Sequence, residues 1–580
     1  MKYALRGSLH EDLVTRIFEN RNVNIEQRKA FLNPSRDSIQ NPAIYENMDR
    51  AFKAVKYHIE TNGLILILVD SDADGYCSSA TLINYFRLSL KYKNLVFVMH
   101  KDKKHGLTKE VLKEILEISP DLVIIPDAGS SDYKEHEILA NNGIGVVVLD
   151  HHECEKYSDY AIVVNNQLSP EGNKTLSGGG MVLKFIEYMD TQFNIGQSEY
   201  YYDLVAVSLV ADGMLMIEPE TRYYVLEGLD NITNPLLELL AEKRSEGAGV
   251  FEFISYNIAP AINAIIRVGT DSDKRNLLDA MICENRTEVI KLRGQGEVEL
   301  PLVEYILKMA DRLKSKQTRD IKKIIEDENT IIMTENLPIS IMVHENEDAQ
   351  ALSGLMASRL VDKYGKPSLV LRKVNQDDGR FRYDGSGRST NTFKNFKDYL
   401  LSTDKFIYCA GHQGAFGVSI DTQKMSELLS SLLYQSLPNE DACHIVDKAY
   451  VDGRVGSMDI ISIDELKQHW CRGFDKPQFY IKLSGVDSAD ITTMGATGNT
   501  IKITHDYISY IKFKCTQEDL DVLLKQGRKD IEIIGTFNVN EWNGRSFPQV
   551  FIEDFEVKEV DVMDDIDFND FNAFGFGFGA

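Results

Sequence analysis

The chain has 580 residues, 43% of them hydrophobic, enough for about three or four domains of roughly 100–200 residues, each with its own core. Its formal charge of −25 excludes a generally basic nucleic-acid coat but leaves room for a basic groove on an acidic body. No apolar stretch approaches the ~18 residues a bilayer crossing needs, the opening "MKYALRGSLHEDL" lacks a signal-peptide core, and seven scattered cysteines form no CxxC pair, so a cytoplasmic protein with no membrane partner is expected.

In chain order, the first informative stretch is "LILILVDSDADGYCSSA" (64–80). Its apolar run reads as a strand buried on both faces of a parallel sheet, and it runs straight into Asp70, Asp72 and Asp74 before the turn at Gly75. Carboxylates at alternate positions of an extended segment point to one side, where they repel one another unless a metal or basic groups neutralise them. "YCSSATLINYFRLSL" follows with helical periodicity, then "NLVFVMH" as a strand and "TKEVLKEILEIS" as a helix. "PDLVIIPDAGSSD" is a strand ending in Asp127, and "IGVVVLDHHE" one ending in Asp150, His151 and His152.

Strands alternating with helices predict a doubly wound parallel α/β sheet, which binds ligands beyond the carboxyl ends of its strands. Asp212 closes "DLVAVSLVADG", predicted as a helix whose last turn reaches that edge. A single aspartate after a strand is ordinarily a turn residue or helix cap; the convergence of several argues for a site. Oxygen ligands with one or two imidazoles suit Mn²⁺ or Mg²⁺ better than a structural zinc. Several carboxylates, one able to bridge, are the ingredients of a site for two ions.

Further on, "EYILKMADRLKSKQTRDIKKIIEDE" predicts one long helix with Arg312, Lys316, Arg319 and Lys323 along one face and Leu313, Ile321 and Ile325 opposite. That face is either solvated or a basic strip lining a nucleic-acid channel. "DGSGRST" (384–390) reads as flexible backbone carrying Ser386 and Arg388, whose guanidinium can fork onto a phosphate. "CAGHQGAFG" (409–417) reads as a glycine-rich turn around Gly411 and His412. Short alternating segments from 441 to 558 predict a β-barrel with "NEWNGRS" as a hairpin turn. Tyr507, Tyr510, Phe513, Trp542 and Phe547 are its candidate stacking residues, with Lys512 and Arg545 nearby; most are expected in the core, with one or two, Trp542 included, facing a nucleic-acid strand. The acidic, Phe- and Gly-rich end "MDDIDFNDFNAFGFGFGA" cannot build a core; it reads as a disordered solubilising tail, or as a peptide that docks a single-strand-binding or replication/repair protein.

Taken together, "DSDADG", "PDAGSS", "LDHH" and "SLVADG" resemble the motifs of the DHH phosphoesterase superfamily in order and spacing, and "IAPAINAIIRVG" (258–269), "DGSGRST", "CAGHQGAFG" and "NVNEWNGRSFPQVFIEDFE" (538–556) resemble its RecJ-like branch. The resemblance implies metal ligation by Asp72, Asp74, Asp127, His151 and Asp212, with Asp127 as the bridge and Asp70 either a ligand or an acceptor behind one. It implies that Asp150 orients the ligating His151, that His152 faces the substrate phosphate, and that Arg267, Ser386, Arg388, Gly411 and His412 hold the strand end. Some superfamily members carry a histidine four residues before the first ligand, where this chain has Leu68; Ala261 replaces a usual arginine, and Ala410 and Phe416 are expected to narrow the pocket beside His412. The implied activity is 5′→3′ single-stranded DNA exonuclease with two Mn²⁺ or Mg²⁺ ions, acting in DNA repair, recombination or replication. Alternatives are a phosphodiesterase for short oligonucleotides or cyclic dinucleotides, and a non-catalytic single-strand-binding scaffold. The implied plan is an N-terminal extension (1–45), DHH domain (46–220), helical connector (221–330), smaller α/β DHH-associated domain (331–440), OB-like barrel (441–558) and tail (559–580).

Overall fold

The structure, a computed structural model, describes residues 3–6, 12–101, 103–242, 249–292, 294–376, 379–390, 393, 395–435, 437, 444–448, 456–496 and 498–559. The acidic tail and its expected partner docking lie outside the described residues, apart from Glu559. The chain forms two compact units, one of residues 29–442 with 469–474, the other of 1–28, 443–468 and 475–580. No helix among the described residues is long and apolar enough to cross a membrane.

The larger unit opens with β1 (Ile65–Val69), α1 (Ala73–Asn84), β2 (Leu95–Met99), α2 (Lys109–Ile118), β3 (Leu122–Pro126), α3 (Tyr133–Asn141), β4 (Gly145–Asp150) and β5 (Ile162–Asn165). The five strands form an all-parallel sheet in the order β2-β1-β3-β4-β5. Alternate residues feed opposite cores: Ile65, Ile67, Ile124 and Val147 face the cluster containing α1, while Leu66, Leu68, Val123 and Val148 face α2 and α3. This two-sided burial is why the strands read as unbroken apolar runs. Helices α4 (Gly178–Phe193), α5 (Tyr202–Ala211), α6 (Ala259–Val268) and α7 (Leu302–Ile325) complete this part. The connector expected to be helical also holds an antiparallel hairpin, Thr287–Leu292 with Gly296–Pro301.

α7 is the predicted long helix: Leu313 and Ile321 are buried, Ile325 is half-buried, and Arg312, Lys316, Arg319 and Lys323 are exposed. Beyond it, β6 (Ile331–Met333), β7 (Ser340–His344), α8 (Ser353–Tyr364), β8 (Ser368–Asn375), β9 (Phe381–Arg388), β10 (Phe406–His412) and β11 (Ala415–Asp421) build a mixed sheet ordered β10-β11-β9-β8-β7-β6. Here the structure corrects the expectation of a flexible "DGSGRST" loop, because residues 384–388 belong to β9, between β8 and β11. The glycines serve close packing: a Cβ at Gly385 would lie 1.8 Å from the Val370 carbonyl oxygen, and one at Gly387 2.7 Å from the Phe416 ring. Phe416 is buried against Phe396, their ring centroids 5.4 Å apart, so it faces the core and does not narrow the pocket beside His412.

Residues 469–474 strap the larger unit. The fully buried Arg222 donates through Nε to the Phe31 carbonyl (2.6 Å) and through Nη2 to His469 Nδ1 (2.8 Å), with its guanidinium 3.8 Å above the Phe31 ring.

The smaller unit carries an eight-stranded sheet in which Tyr3–Arg6 pairs in parallel with His444–Lys448. Its long hairpin, β12 (Arg528–Trp542) with β13 (Arg545–Glu559), turns through Asn543 (φ 51°) and Gly544 (φ 69°), as a two-residue Asn-Gly hairpin requires. The expectation that most barrel aromatics are core fails: Tyr510 is buried, but Tyr507, Phe513, Trp542 and Phe547 are exposed. Trp542 sits at the hairpin tip opposite Arg545, and Phe547 lies opposite Asn540, which puts both rings on one face.

Candidate metal centre and its surroundings

Five segments converge at the carboxyl edge of the parallel sheet. Asp70 follows β1; Asp72 caps α1, its Oδ1 accepting the Gly75 N–H at 3.0 Å; and Asp74 lies in the first turn of that helix. Asp127 follows β3 in the left-handed region (φ 62°), which aspartate tolerates better than most residues, with its N–H donating to the Leu149 carbonyl at 2.9 Å. Asp150 ends β4, His151 and His152 come next, and Asp212 caps the C-terminus of α5.

At the centre, His151 Nε2 lies 3.2 Å from Asp127 Oδ1, 3.5 Å from Asp212 Oδ2 and 3.9 Å from Asp74 Oδ2. All three central atoms, His151 Nε2, Asp127 Oδ1 and Asp212 Oδ2, are buried without a hydrogen-bond partner. Burial pushes the Asp127 and Asp212 carboxyls well above the usual range, reinforced by Asp74 and Asp72, while burial and the neighbouring His152 charge drop His151 to about 3. A neutral imidazole and crowded carboxylates with unused lone pairs are the donor set that a hard or borderline cation takes, so the residues present fit a divalent metal. Among the described residues, candidate ligand atoms fall within 4.8 Å of one another in three groups: Asp74, His151 and Asp212; Asp127, Asp150, His151 and His152; and Asp70, Asp72 and His105.

Asp74 is held by the start of α4. Its Oδ2 accepts the Gly178 N–H and its Oδ1 the Gly179 N–H, both at 2.9 Å, and Ser208 donates its hydroxyl to Oδ1. A Cβ at Gly178 would lie 2.3 Å from Asp127 Cβ, and one at Gly179 2.2 Å from Ser208 Oγ. These glycines escaped the sequence reading, although "SGGG" (177–180) opening an apolar helix offers free N–H donors to an anion.

Asp150 serves a different partner from the one expected. Its Oδ1 accepts the backbone N–H groups of His151 (2.7 Å) and His152 (3.2 Å) and contacts His152 Nδ1 at 2.8 Å, while its Oδ2 accepts the Ser130 N–H at 3.1 Å. It thus orients the His152 ring and only the backbone of His151. Despite burial, the His152 charge and its hydrogen bond hold Asp150 far below the usual carboxylate range; against the same burial, Asp150 raises His152 to about 10, so His152 is a cation at neutral pH.

Basic and imidazole groups stand around these carboxylates. The rings of His152 and His412 are 6.4 Å apart and nearly parallel. His412 ends β10, and Gly411 before it is left-handed (φ 122°), its carbonyl accepting from Lys397 Nζ at 2.8 Å. Arg267, in the last turn of α6, feels the charge of Asp72. Desolvation and the Arg267 charge pull Lys103 down to about 8, and the same two causes pull Arg388 down to about 10, so these three cations share one neighbourhood. Arg388 rests on α8, where a Cβ at Gly354 would lie 2.4 Å from its Nη2. Ser386 lies two residues before Arg388 on the same face of β9. Lys316 Nζ of the basic helix reaches the Val268 carbonyl beside Arg267 at 3.5 Å. The turn after Asp212 is tied by the strap: Arg472 donates its guanidinium to the Gly213 carbonyl, and its own carbonyl accepts the Met216 N–H at 3.0 Å. Lys103 and Arg472 carried no motif that would have marked them.

A parallel sheet delivering buried carboxylates and an imidazole to one edge defines a metal-dependent phosphoesterase of the DHH class. Family models agree: "DHH family, N-terminal domain" matches residues 64–209 and "RecJ OB domain" matches residues 455–554. The chain is 33% identical over 578 residues to the putative SPbeta prophage-derived single-strand DNA-specific exonuclease YorK of Bacillus subtilis (strain 168), covering 96% of this chain and 98% of that protein. It is 23% identical over 556 residues to the single-stranded-DNA-specific exonuclease RecJ of the same organism, covering 93% of this chain and 67% of that protein. The crystal structure of RecJ in complex with Mn²⁺ from Thermus thermophilus has the same fold, with a TM-score of 0.71 at 19% identity over 94% of this chain and 76% of that one. This chain belongs to the RecJ-like family of single-strand DNA-specific exonucleases.

Proposed function

We propose that this protein hydrolyses single-stranded DNA from the 5′ end, releasing nucleotides, with two divalent cations, Mn²⁺ or Mg²⁺, in the cytoplasm during repair, recombination or replication. The observation that carries this reading is the trio of buried, partnerless atoms, Asp127 Oδ1, His151 Nε2 and Asp212 Oδ2, within 3.5 Å of the imidazole nitrogen. Bound there, divalent cations supply the charge that readies a water for attack and steadies the negative charge growing on the phosphate.

The chain's own residues do the rest. Asp72, Asp74, Asp127, His151 and Asp212 are the residues that would hold the cations. Asp150 keeps the half-exposed His152 charged and turned, its Nδ1 occupied, so that the remaining ring nitrogen donates to a phosphate oxygen. Arg267, Arg388, Ser386, Gly411, His412 and Lys103 clamp the terminal nucleotide, which favours end-first cutting. The exposed Arg312, Lys316, Arg319 and Lys323 of α7 conduct the backbone electrostatically, and Trp542 and Phe547 offer stacking faces to bases. In this division of labour 46–220 cuts, 221–330 connects, 331–440 clamps and 441–558 grips the strand. The long basic face and exposed aromatic hairpin favour a polymeric substrate over a dinucleotide.

The test is digestion of 5′-labelled and 3′-labelled single strands, each blocked at one end, with Mn²⁺ or Mg²⁺, alongside Asp127→Asn. Nucleotide release that stops on 5′-blocked strands and is lost in Asp127→Asn is expected. Equal cutting of both blocked substrates refutes the polarity, and full activity of the variant refutes the site.

A further inference from the structure

We propose that His105, braced by Asp70, is the imidazole ligand of the cation on the Asp72 side of the pocket, an inference that rests on the two-cation reading above. The segment between β2 and α2 contributes this residue. The position four residues before Asp72 is Leu68, which is buried in the core between the sheet and α2, so no side chain from β1 supplies a nitrogen there.

The geometry around His105 is that of a metal-bound imidazole with its supporting carboxylate. His105 Nδ1 lies 2.5 Å from Asp70 Oδ2, and Asp70 is itself buried and fixed, its Oδ1 accepting the Gly106 N–H at 3.1 Å. A histidine that binds a metal through one nitrogen donates the other to such a carboxylate, which fixes its tautomer and raises its basicity. In the neutral tautomer that donates from Nδ1 to Asp70, the ring offers its Nε2 lone pair to a cation. One ligand atom each of Asp70, Asp72 and His105 fall within 4.8 Å of one another.

Hydrogen bonds on both sides of His105 fix its backbone. Ser71 donates its hydroxyl to the Lys104 carbonyl, and the Leu107 N–H donates to Asp132 Oδ2 at 2.7 Å. Gly106 adopts φ 65°, and a Cβ there would lie 2.4 Å from Asp132 Oδ2. A second, independent observation is a buried imidazole nitrogen left without a partner beside Asp70. His100 Nε2 is buried, has no hydrogen-bond partner, and stands 3.7 Å from Asp70 Oδ1. A cation held by Asp72 and His105, with Asp70 behind the imidazole, would neutralise this side, as one held by Asp74, His151 and Asp212 would neutralise the other.

The test is Mn²⁺ binding to the full-length, DNA-free protein by calorimetry, with electron-spin-echo detection of nitrogen coupled to Mn²⁺. Two bound ions and couplings from two imidazoles are expected. His105→Ala should keep one ion and one imidazole coupling while the other ion weakens at least about 10-fold, and Asp70→Ala should weaken the same ion about 10–100-fold. The retained ion, sensitive to His151→Ala, reports that each variant is folded. Two ions of unchanged affinity in His105→Ala overturn the proposal and leave the two-cation reading intact. Fewer than two ions on the unmodified protein overturn that reading as well.

Discussion

Gly178 is where a single methyl group tests the architecture of the site. A Cβ there would stand 2.3 Å from Asp127 Cβ and 2.4 Å from Asp127 Oδ1, roughly 1.2 Å inside the ~3.5 Å at which carbon atoms rest. Neither side can yield freely: the Gly178 N–H is bonded to Asp74 Oδ2 at 2.9 Å and the Asp127 N–H to the Leu149 carbonyl at 2.9 Å. Relief in Gly178→Ala therefore moves one of two proposed metal ligands, Asp127 or Asp74, by about 1 Å. Overpacking of this kind lowers stability by about 1–3 kcal/mol. The effect on the reaction is sharper, because a misplacement of about 1 Å in a reacting constellation costs about 100-fold, or about 2.7 kcal/mol of transition-state stabilisation. Single-turnover cleavage of a 5′-phosphorylated strand at saturating Mn²⁺ should slow about 100-fold while strand affinity and circular dichroism hold. A variant cutting at the native rate would show that the close packing of α4 on Asp127 does not set the site.

Metal-free protein should lose stability between about pH 7 and pH 8, above the range in which the lowered His151, His136, His344 and His469 still favour the native state as pH rises. Asp127, Asp212 and Asp74 have folded pKa values raised above 3.8, so the native state gives up their protons less readily than the unfolded chain and is penalised as pH rises. His152, raised from 6.5 to about 10, contributes fully below 6.5 and progressively less above it, in the same direction. Urea titrations across that range, with and without Mn²⁺, measure it; a flat or rising metal-free profile refutes the reading. Trp542→Ala, at an exposed hairpin tip, should change stability by less than about 0.5 kcal/mol yet weaken binding of long single strands by about 1–3 kcal/mol without affecting dinucleotide cleavage, a difference read by fluorescence anisotropy and product analysis. Replacing Arg312, Lys316 and Arg319 together by alanine should lower the slope of log affinity against log salt by about 0.7 per lost phosphate contact; an unchanged slope makes that face a solvated one.

The parallel sheet was legible because β1, β3 and β4 are buried on both faces and each breaks abruptly into Asp or His. The ligand set was legible for the same reason, since a strand end carrying a charge out of an apolar run has few structural excuses. What escaped depends on approach between segments far apart in the chain. Gly178 and Gly179 matter only because Asp74 lies against them, and Asp150 turns to His152, not to the His151 ring, through a local geometry that spacing does not encode. The glycines of 385–387 were misread because glycine marks both flexible loops and crowded strands, and only Val370 and Phe416 across the sheet tell these apart. The exposed ring of Phe513 was likewise hidden by alternation, which predicts faces but not which face is covered.

The strap at 469–474 sets a schedule for making the enzyme. Arg472 anchors the turn directly after Asp212, and His469 takes a hydrogen bond from the fully buried Arg222; leaving that guanidinium short of an acceptor costs about 1–3 kcal/mol. During synthesis from the N-terminus, the catalytic unit is therefore unfinished until residue 474 has emerged from the ribosome, long after its last proposed ligand has been made. A nascent or C-terminally truncated chain carries the proposed ligands without the clasp that fixes the turn after Asp212, so the pocket is completed only by polypeptide that follows the mixed sheet.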